Sequence, residues 1–261
     1  MTTATLRINR DIIIASKRGS LEKRKKKTPY EAVFALASMQ RRPRPGLSAV
    51  LSEKRPLIIG SITRDNPYDP VTHAMEMVRA GVDAIAYFTD HDFYDHAIED
   101  LLLVARGVPR TPVIMQNYIL EAYDILSARA GDASAVMIHA SILDSVNLRN
   151  TVTLSQRWKM SAFIQIDDID QFDEVQTLAP HGICLGDPLS HNVDKSIALL
   201  NAVRHDLHPS TKIMLSQALD DLDQVERVLK YKVHALFVSS HILGNPALLA
   251  KFNQLLDHYE R

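Results

Sequence analysis

Short apolar runs in this sequence each end in a group of polar residues. In chain order these groups are residues 63–66, 89–92, 116–117, 139–141, 165–168, 186–187, 216–217 and 239–241. Most positions closest to the runs are amides or hydroxyls, which form hydrogen bonds but do not exchange protons at neutral pH. His139, with Asp167 or Asp168 nearby on the next loop, is the candidate for acid–base chemistry. A hydrogen-bonded histidine without a catalytic role is the alternative interpretation.

Other segments contain the residue types of metal ligands or nucleophiles. His91 and His96, together with the aspartates at 90 and 92, have the ligand types for a divalent metal, but a charged loop exposed to solvent explains them more simply. Residues 167–170 lack the glycine and the terminal glutamate of a calcium loop, so we expect them to cap the following helix. Cys184 lies among apolar neighbours and is expected to be a small core residue. We therefore expect no metal and no cofactor.

The apolar runs have the composition of β-strands buried on both faces, because they are short, rich in apolar residues and bounded by turn formers. They cover residues 57–59, 84–88, 112–115, 135–138, 162–164, 182–185, 212–215 and 235–238. Segments with the 3.6-residue apolar spacing of helices lie between them. Eight strands alternating with eight helices predict an α/β fold, a (β/α)8 TIM barrel. The carboxyl ends of its strands would carry the functional site.

Three of the intervening helices can be placed by their apolar spacing. The first covers residues 71–80 and places Ala74 and Met75 on its buried stripe. The second covers residues 194–203 and the third residues 220–229, and each begins at an aspartate that is expected to be the N-cap. No glycine-rich phosphate-binding motif follows any strand, which disfavours a nucleotide-binding sheet.

Residues 1–55 precede the first strand and contain the basic run Lys23 to Lys27. We expect residues 1–55 to form an N-terminal helical extension and residues 56–261 to form the barrel, as a single structural domain overall. The basic run is expected to be a solvated helix face, and an arm that binds a partner is the alternative.

The composition is that of an ordinary globular protein, with 46% hydrophobic and 23% charged residues, and argues against a disordered chain. The 30 basic and 31 acidic residues leave a net charge of -1, which excludes a globally basic nucleic-acid-binding protein. A single cysteine excludes an internal disulfide. The longest early apolar run, Ile12-Ile13-Ile14-Ala15, is too short for a signal segment or a membrane span. A cytoplasmic protein without membrane contact is expected.

Several segments share their motifs with one known family of barrel enzymes. They are Lys54-Arg55-Pro56-Leu57-Ile58 at the first strand, Asp69-Pro70-Val71 at the first helix, Phe88-Thr89-Asp90 after the second strand, and Met115-Gln116-Asn117-Tyr118-Ile119 at the third. In these segments the chain resembles the indole-3-glycerol phosphate synthase family, and the resemblance is collinear over nearly the whole length. It implies a barrel with an N-terminal extension and a carbon–carbon lyase of tryptophan biosynthesis.

The resemblance also identifies where this sequence departs from the family's catalytic motifs. Ser61 and Thr63 stand where the family has the glutamate and lysine of an E-x-K motif. Gln116 replaces the family's general-acid lysine, and Gln165 replaces its general-base glutamate. The remaining departures are Cys184 for an asparagine on strand 6, Ser216 for a glutamate on strand 7 and Ser239 for a glycine on strand 8. Two lysines and three glutamates of the family are thus replaced by neutral residues.

These replacements predict a barrel that has lost the synthase reaction, either a pseudoenzyme or a protein re-purposed to bind a small ligand or a protein partner. The alternatives are an active synthase that tolerates the replacements, an enzyme with new chemistry centred on His139, and a scaffold that uses the basic run. The residues that could still hold an anion are Arg64, Gln217, Ala218, Ser239 and Ser240. A phosphorylated small molecule therefore remains a candidate partner. Nucleic acid is not expected to bind, and the sequence fits a monomer or a homodimer.

Overall fold

The computed structural model describes residues 10–40, 47, 55–62, 69–89, 98–186 and 192–259. Within them, eight parallel strands form a closed barrel in chain order. The strands are β1 (Leu57–Ser61), β2 (Ala84–Phe88), β3 (Val113–Gln116), β4 (Ala135–His139), β5 (Ser161–Ile166), β6 (Gly182–Leu185), β7 (Lys212–Leu219) and β8 (Ala235–Val238). This topology confirms the predicted (β/α)8 TIM barrel.

Helices precede the barrel and alternate with its strands. They are α1 (Arg10–Lys27), α2 (Tyr30–Met39), α3 (Pro70–Arg79), α4 (Ile98–Gly107), α5 (Ala122–Ala130), α6 (Ser145–Arg157), α7 (Phe172–Thr177), α8 (Val193–Val203), α9 (Leu222–Leu229), α10 (Ser240–Leu243) and α11 (Pro246–Asp257). Because α1 and α2 come before β1, they confirm the N-terminal helical extension. None of the helices in the described ranges is both long and apolar enough to cross a bilayer.

The strands bury both of their faces, as their apolar composition predicts. All residues of β4 and β5 are buried. Along β4, Ala135 and Met137 belong to an apolar cluster inside the barrel, whereas Val136 and Ile138 belong to the cluster between the sheet and the helices. The alternation follows from the two-residue period of a strand. It therefore determines which side chains at the strand ends can line the barrel mouth.

The N-terminal extension packs on the barrel through α5. Leu21 of α1 and Val33 and Ala37 of α2 form a buried cluster with Tyr123 and Leu126 of α5. The buried apolar surface holds the extension against the outer helices, because removing such side chains from water is favourable.

Part of the basic run Lys23 to Lys27 contacts acidic and polar residues of the barrel. Arg24 donates a hydrogen bond from Nη2 to Ser127 Oγ at 2.9 Å, and its Nη1 lies 3.4 Å from Asp124 Oδ1. Lys25 Nζ lies 2.7 Å from Glu121 Oε1, and this hydrogen bond raises the pKa of Lys25. The run is therefore not only a solvated face, because two of its side chains attach α1 to α5.

Three details of the predicted helices are wrong. Asp194 is not the N-cap of α8, because the Asn192 side chain accepts the hydrogen bond from the Lys195 backbone N–H at 3.2 Å. The N-cap of α9 is Asp221, one residue later than predicted. In α3, Met77 is buried and Met75 is 38% exposed. The apolar spacing located each helix, but it did not determine the first residue of the helix or which side chains face the core.

Replacing the true cap of α8 is expected to cost more stability than replacing the aspartate two residues later. Asn192→Ala should lower the free energy of unfolding by about 1 kcal/mol, because a backbone N–H of the first turn loses its acceptor. Asp194→Ala is the control. It removes an ion pair with Arg227 in which both side chains are largely exposed, and such pairs contribute little. Urea unfolding measures both variants, and an equal or larger loss for Asp194→Ala would contradict the assignment.

Candidate functional site

One layer inside the barrel, close to the carboxyl ends of the strands, is built entirely from uncharged polar side chains. The strand registers and the inward–outward alternation place Ser61 of β1, Gln116 of β3, Gln165 of β5 and Ser216 of β7 in this layer, which we call the polar layer. All four are buried, with at most 4% of their surface exposed. Alternate strands contribute the side chains of one barrel layer, so these residues face a common interior.

The layers above and below the polar layer come from the even-numbered strands. Above it, at the mouth, lie Phe88, His139 and Ser239. Gly186 follows β6, and a side chain at this position would point outward to Ser196 of α8. Below it lie Ala86, Met137, Cys184 and Phe237, which belong to the apolar cluster inside the barrel. Cys184 is therefore surrounded by apolar side chains beneath the polar layer, and this burial raises the pKa of its thiol. The polar layer therefore forms the floor of the barrel mouth.

The two glutamines of the polar layer have unpaired carbonyl oxygens. Gln165 Nε2 donates to the backbone carbonyl of Gly186 at 2.9 Å. Gln165 Oε1 and Gln116 Oε1 are both buried and have no hydrogen-bond partner in the part of the chain that the structure describes. Ser216, by contrast, donates from Oγ to the Leu185 carbonyl at 3.2 Å. Both oxygens are therefore buried and unsatisfied within the described part of the chain.

Gly186 links the polar layer to the helix outside it. Its φ of 99° lies in the left-handed region, where residues with a Cβ are disfavoured. A Cβ at this position would overlap Ser196 Oγ of α8 and would lie 2.6 Å from Gln217 Nε2. Ser196 Oγ in turn donates to Gln217 Oε1 at 2.7 Å. Both the backbone conformation and the close packing thus require glycine.

Gly186→Ala is expected to lower the free energy of unfolding by roughly 3 kcal/mol, because backbone strain and overpacking act together. Gly19→Ala is the matched control, since Gly19 lies within α1 and an added Cβ there meets nothing within 4 Å in the described chain. That control should gain about 0.5–1 kcal/mol from helix propensity. Thermal and urea unfolding of the two variants give the comparison. Wild-type stability for Gly186→Ala would contradict the role assigned to Gly186.

His139 lies above the polar layer and is neutral at pH 7. It is 9% exposed, and its ring centroid lies 4.8 Å from that of Tyr118, with a tilt of 43°. Burial lowers the pKa of His139 to about 4, although the charge of Asp167 acts in the opposite direction. Asp167 accepts a hydrogen bond from Gln171 Nε2 at 2.7 Å, and Asp168 caps the helical turn that follows.

The residues predicted to hold an anion are divided between the inside and the outside of the barrel. The Gln217 side chain bonds outward to Ser196, whereas Ala218 packs against the interior cluster. Ser239 Oγ is buried and has no partner among the described residues. Ser240 begins α10 and lines a cavity of about 420 Å³ beside α3. Thr63 and Arg64 lie outside the described residues, as do His91 and His96.

Comparison with known proteins places nearly the whole chain in one family. The family model described as indole-3-glycerol phosphate synthase matches residues 10–255. This chain belongs to the indole-3-glycerol phosphate synthase family.

Its similarity to individual relatives is low but covers most of the chain. The indole-3-glycerol phosphate synthase of Salinibacter ruber is 25% identical over 247 residues, which is 89% of each chain. That of Rippkaea orientalis is 27% identical over 234 residues, covering 87% of this chain and 78% of the relative. Among solved structures, 3-hexulose-6-phosphate synthase from Salmonella typhimurium gives a TM-score of 0.64 at 11% identity, over 78% of this chain and 100% of that one. This last likeness shows a shared fold.

In this member of the indole-3-glycerol phosphate synthase family, the sequence analysis did not predict a buried polar cluster at the carboxyl ends of β2 and β3. Lys17 of α1 is 2% exposed and donates to Asn117 Oδ1, while Asn117 Nδ2 donates to Thr89 Oγ1 at 2.8 Å. Lys17 Nζ also lies 4.0 Å from Asp124 Oδ1 of α5, which is fully buried. The cluster ties α1 to the ends of β2 and β3. No local sequence pattern indicates this cluster, because Lys17 and Asn117 are 100 residues apart.

No group of three histidine, cysteine, aspartate or glutamate side chains within the described ranges is arranged to hold a metal ion. The segment around His91 lies outside those ranges, so its proposed interpretation as a charged loop stays a prediction.

Proposed function

We propose that this member of the indole-3-glycerol phosphate synthase family does not catalyse the synthase reaction and that its altered barrel mouth binds a small ligand. The observation that supports the proposal most directly is the polar layer, in which Ser61, Gln116, Gln165 and Ser216 are buried and uncharged. The family resemblance gives these four positions to one lysine and three glutamates.

The synthase reaction closes a ring onto a carbonyl and then loses carbon dioxide and water, so it needs a proton donor and a proton acceptor. A glutamine amide supplies neither at neutral pH. His139 is neutral, and its ring contacts Tyr118. Lys17, the buried lysine at the barrel end, is bound to Asn117. These contacts favour a mouth that recognises a molecule by hydrogen bonds over one that transfers protons.

The replacements also remove charges of both signs together, two lysines and three glutamates, which supports a protein selected to stay folded. Removing a single charge from a buried group of lysines and glutamates would leave its partner unpaired, which is strongly destabilising. Replacing the whole set with neutral side chains leaves no unpaired charge. The intact closed barrel around the polar layer fits this view.

Phosphate recognition is expected to be weak in this barrel. Backbone N–H groups after strands 7 and 8 hold phosphate in such folds, and glycine there allows close approach. Ala218 and Ser239 instead carry side chains at these positions, and Ala218 packs into the interior.

We also propose that residues 1–55 and residues 56–261 form one structural domain. The cluster of Leu21, Val33 and Tyr123 and the contacts of Arg24 with α5 support this, because both would be lost if the extension moved independently.

A steady-state assay with carboxyphenylamino-deoxyribulose phosphate, the substrate of the family reaction, tests the proposed function. No turnover above the rate in buffer is expected. A rate close to that of an ordinary family member, measured side by side, would overturn the proposal.

A further inference from the structure

Helix α2 of the N-terminal extension has apolar side chains on two of its sides. Val33 and Ala37 form the first side, which is buried against α5. The second side has the spacing i, i+3, i+4 and i+7 and is exposed to solvent. Its members, which we call the outer stripe, are Ala32, Ala35, Leu36 and Met39. A helix with an apolar stripe on each side normally has both stripes covered.

The outer stripe is not the solvent-facing side of an ordinary surface helix. Such a side carries charged residues, as α1 does with its exposed Lys23, Lys26 and Lys27. The sequence of α2, by contrast, has no charge after Glu31. Leu36 is 48% exposed and Met39 is 70% exposed. Uncharged apolar exposure of this kind marks an interaction surface when it is concentrated in one place.

The exposure is concentrated on α2 and scattered elsewhere. In the described ranges, nine large apolar side chains are exposed, and four of them belong to this ten-residue helix. Each of the other five lies on a different element, and such single exposed side chains are common on protein surfaces. The part of the chain that the structure describes therefore has one surface of this type, and it is α2.

The segment that follows α2 does not supply a cover for the outer stripe. Residues 41–46 read Arg-Arg-Pro-Arg-Pro-Gly and contain no large aliphatic or aromatic side chain. The next such side chain, Leu47, is fully buried in the apolar cluster inside the barrel, together with Leu57. Leu47 is thus committed to the barrel interior and is not available to α2.

The properties of the outer stripe favour a second copy of α2 as its cover. A partner surface must be apolar and uncharged, because burying an unpaired charge is costly. Within the described ranges, α2 itself is the surface that meets this requirement. The small side chains of Ala32 and Ala35 let two helix axes approach closely, and Leu36 and Met39 provide the area that is buried.

Charge determines the direction in which two copies of α2 would pack. The basic run Lys23 to Lys27 ends just before α2 begins. A parallel pair would bring the two basic runs together, whereas an antiparallel pair places them at opposite ends of the contact. Antiparallel packing also sets the positive end of each helix dipole beside the negative end of the other.

We propose that the outer stripe is the contact surface of a homodimer, in which two copies of α2 pack antiparallel about a two-fold axis next to Ala35 and Leu36. The contact is isologous, so Ala32 of each copy lies against Met39 of the other. A ten-residue helix is only about 15 Å long, so the contact is smaller than the roughly 800 Å² per partner of a standard interface. The dimer should therefore dissociate on dilution.

Sedimentation velocity of the full chain from micromolar to millimolar concentration tests the proposal. The wild type should shift from the monomer mass to the dimer mass as its concentration rises. Leu36→Glu should raise the dissociation constant by roughly tenfold or more, because the two-fold axis brings the two new carboxylates together. Val146→Glu is the matched control, since Val146 is an exposed apolar residue of α6, and it should dimerise like the wild type. Both variants should melt like the wild type, because both positions are exposed.

Two outcomes of this experiment would overturn the proposal. A wild type that stays monomeric at every concentration would mean that another protein, or another segment of the chain, covers the outer stripe. Dimerisation of Leu36→Glu with the wild-type dissociation constant would mean that the copies associate through a different surface.

A disulfide cross-link tests the direction of packing. Ala35→Cys places a thiol next to the proposed axis, so mild oxidation at high concentration should link two copies through position 35. The native Cys184 is fully buried and should not react. Val146→Cys is the control and should remain unlinked. Equal linking of the two variants, or no linking of Ala35→Cys, would overturn the proposed arrangement.

Discussion

Turnover of carboxyphenylamino-deoxyribulose phosphate by this chain is expected to be at least ~10⁴-fold slower than that of a family member with both lysines and all three glutamates. General acid or base assistance contributes roughly 10²–10⁴-fold, and groups that act as a unit are lost together. We propose that Gln116 and Gln165 stand in the polar layer at the positions that the family resemblance gives to the general acid and the general base. Formation of the indole product, followed by fluorescence under saturating substrate, gives the rate.

The double variant Gln116→Lys/Gln165→Glu is the informative companion to this measurement. It should turn over substrate faster than the unchanged chain but far more slowly than an ordinary family member, because Ser61, Thr63 and Ser216 remain neutral. A wild-type rate already comparable to that of the family member would contradict the expectation. In that case the acid and base would have to be sought elsewhere, beginning with Lys17.

Gln165→Glu by itself is expected to lower the free energy of unfolding at pH 7 by about 3–5 kcal/mol, because it places an unpaired carboxylate in a buried layer. Position 165 is 4% exposed, and the new carboxylate could no longer donate to the Gly186 carbonyl. Burial would raise the pKa of the introduced glutamate above its unfolded value. The destabilisation should therefore be full above the raised folded-state pKa and should shrink as the pH falls towards the unfolded value.

Urea unfolding at pH 7 and at about pH 5 measures this effect, with Gln165→Met as the neutral control. The methionine variant loses the bond to Gly186 without introducing a charge, so its loss should be smaller and nearly independent of pH. The double variant Gln116→Lys/Gln165→Glu should lose less free energy of unfolding than the sum of the losses of the two single variants, because its two charges are paired. A Gln165→Glu protein as stable as the wild type at pH 7 would show that the polar layer is hydrated enough to hold charge.

Several elements of the barrel could be predicted closely from local patterns. The run at residues 135–138 became β4 (Ala135–His139), because parallel strands covered on both faces are continuous apolar segments. The prediction for β7 ended at residue 215, whereas the strand continues to Leu219. Its polar residues Ser216 and Gln217 interrupt the apolar pattern, yet they stay in the strand because Leu185 and Ser196 satisfy them.

The sequence by itself determined the eightfold alternation and the uncharged residue types of the polar layer, because hydrophobic period and residue type can be read without coordinates. Tertiary structure alone decided how those side chains are held. Lys17 meets Asn117 across a separation of 100 residues, and Gln165 meets Gly186 across a separation of 21. The hydrophobic period of a segment predicts which face of the strand or helix a side chain occupies, but it does not predict which residue from a distant part of the chain contacts that side chain. The unpaired oxygens of Gln116 and Gln165 therefore emerge only once the barrel has closed.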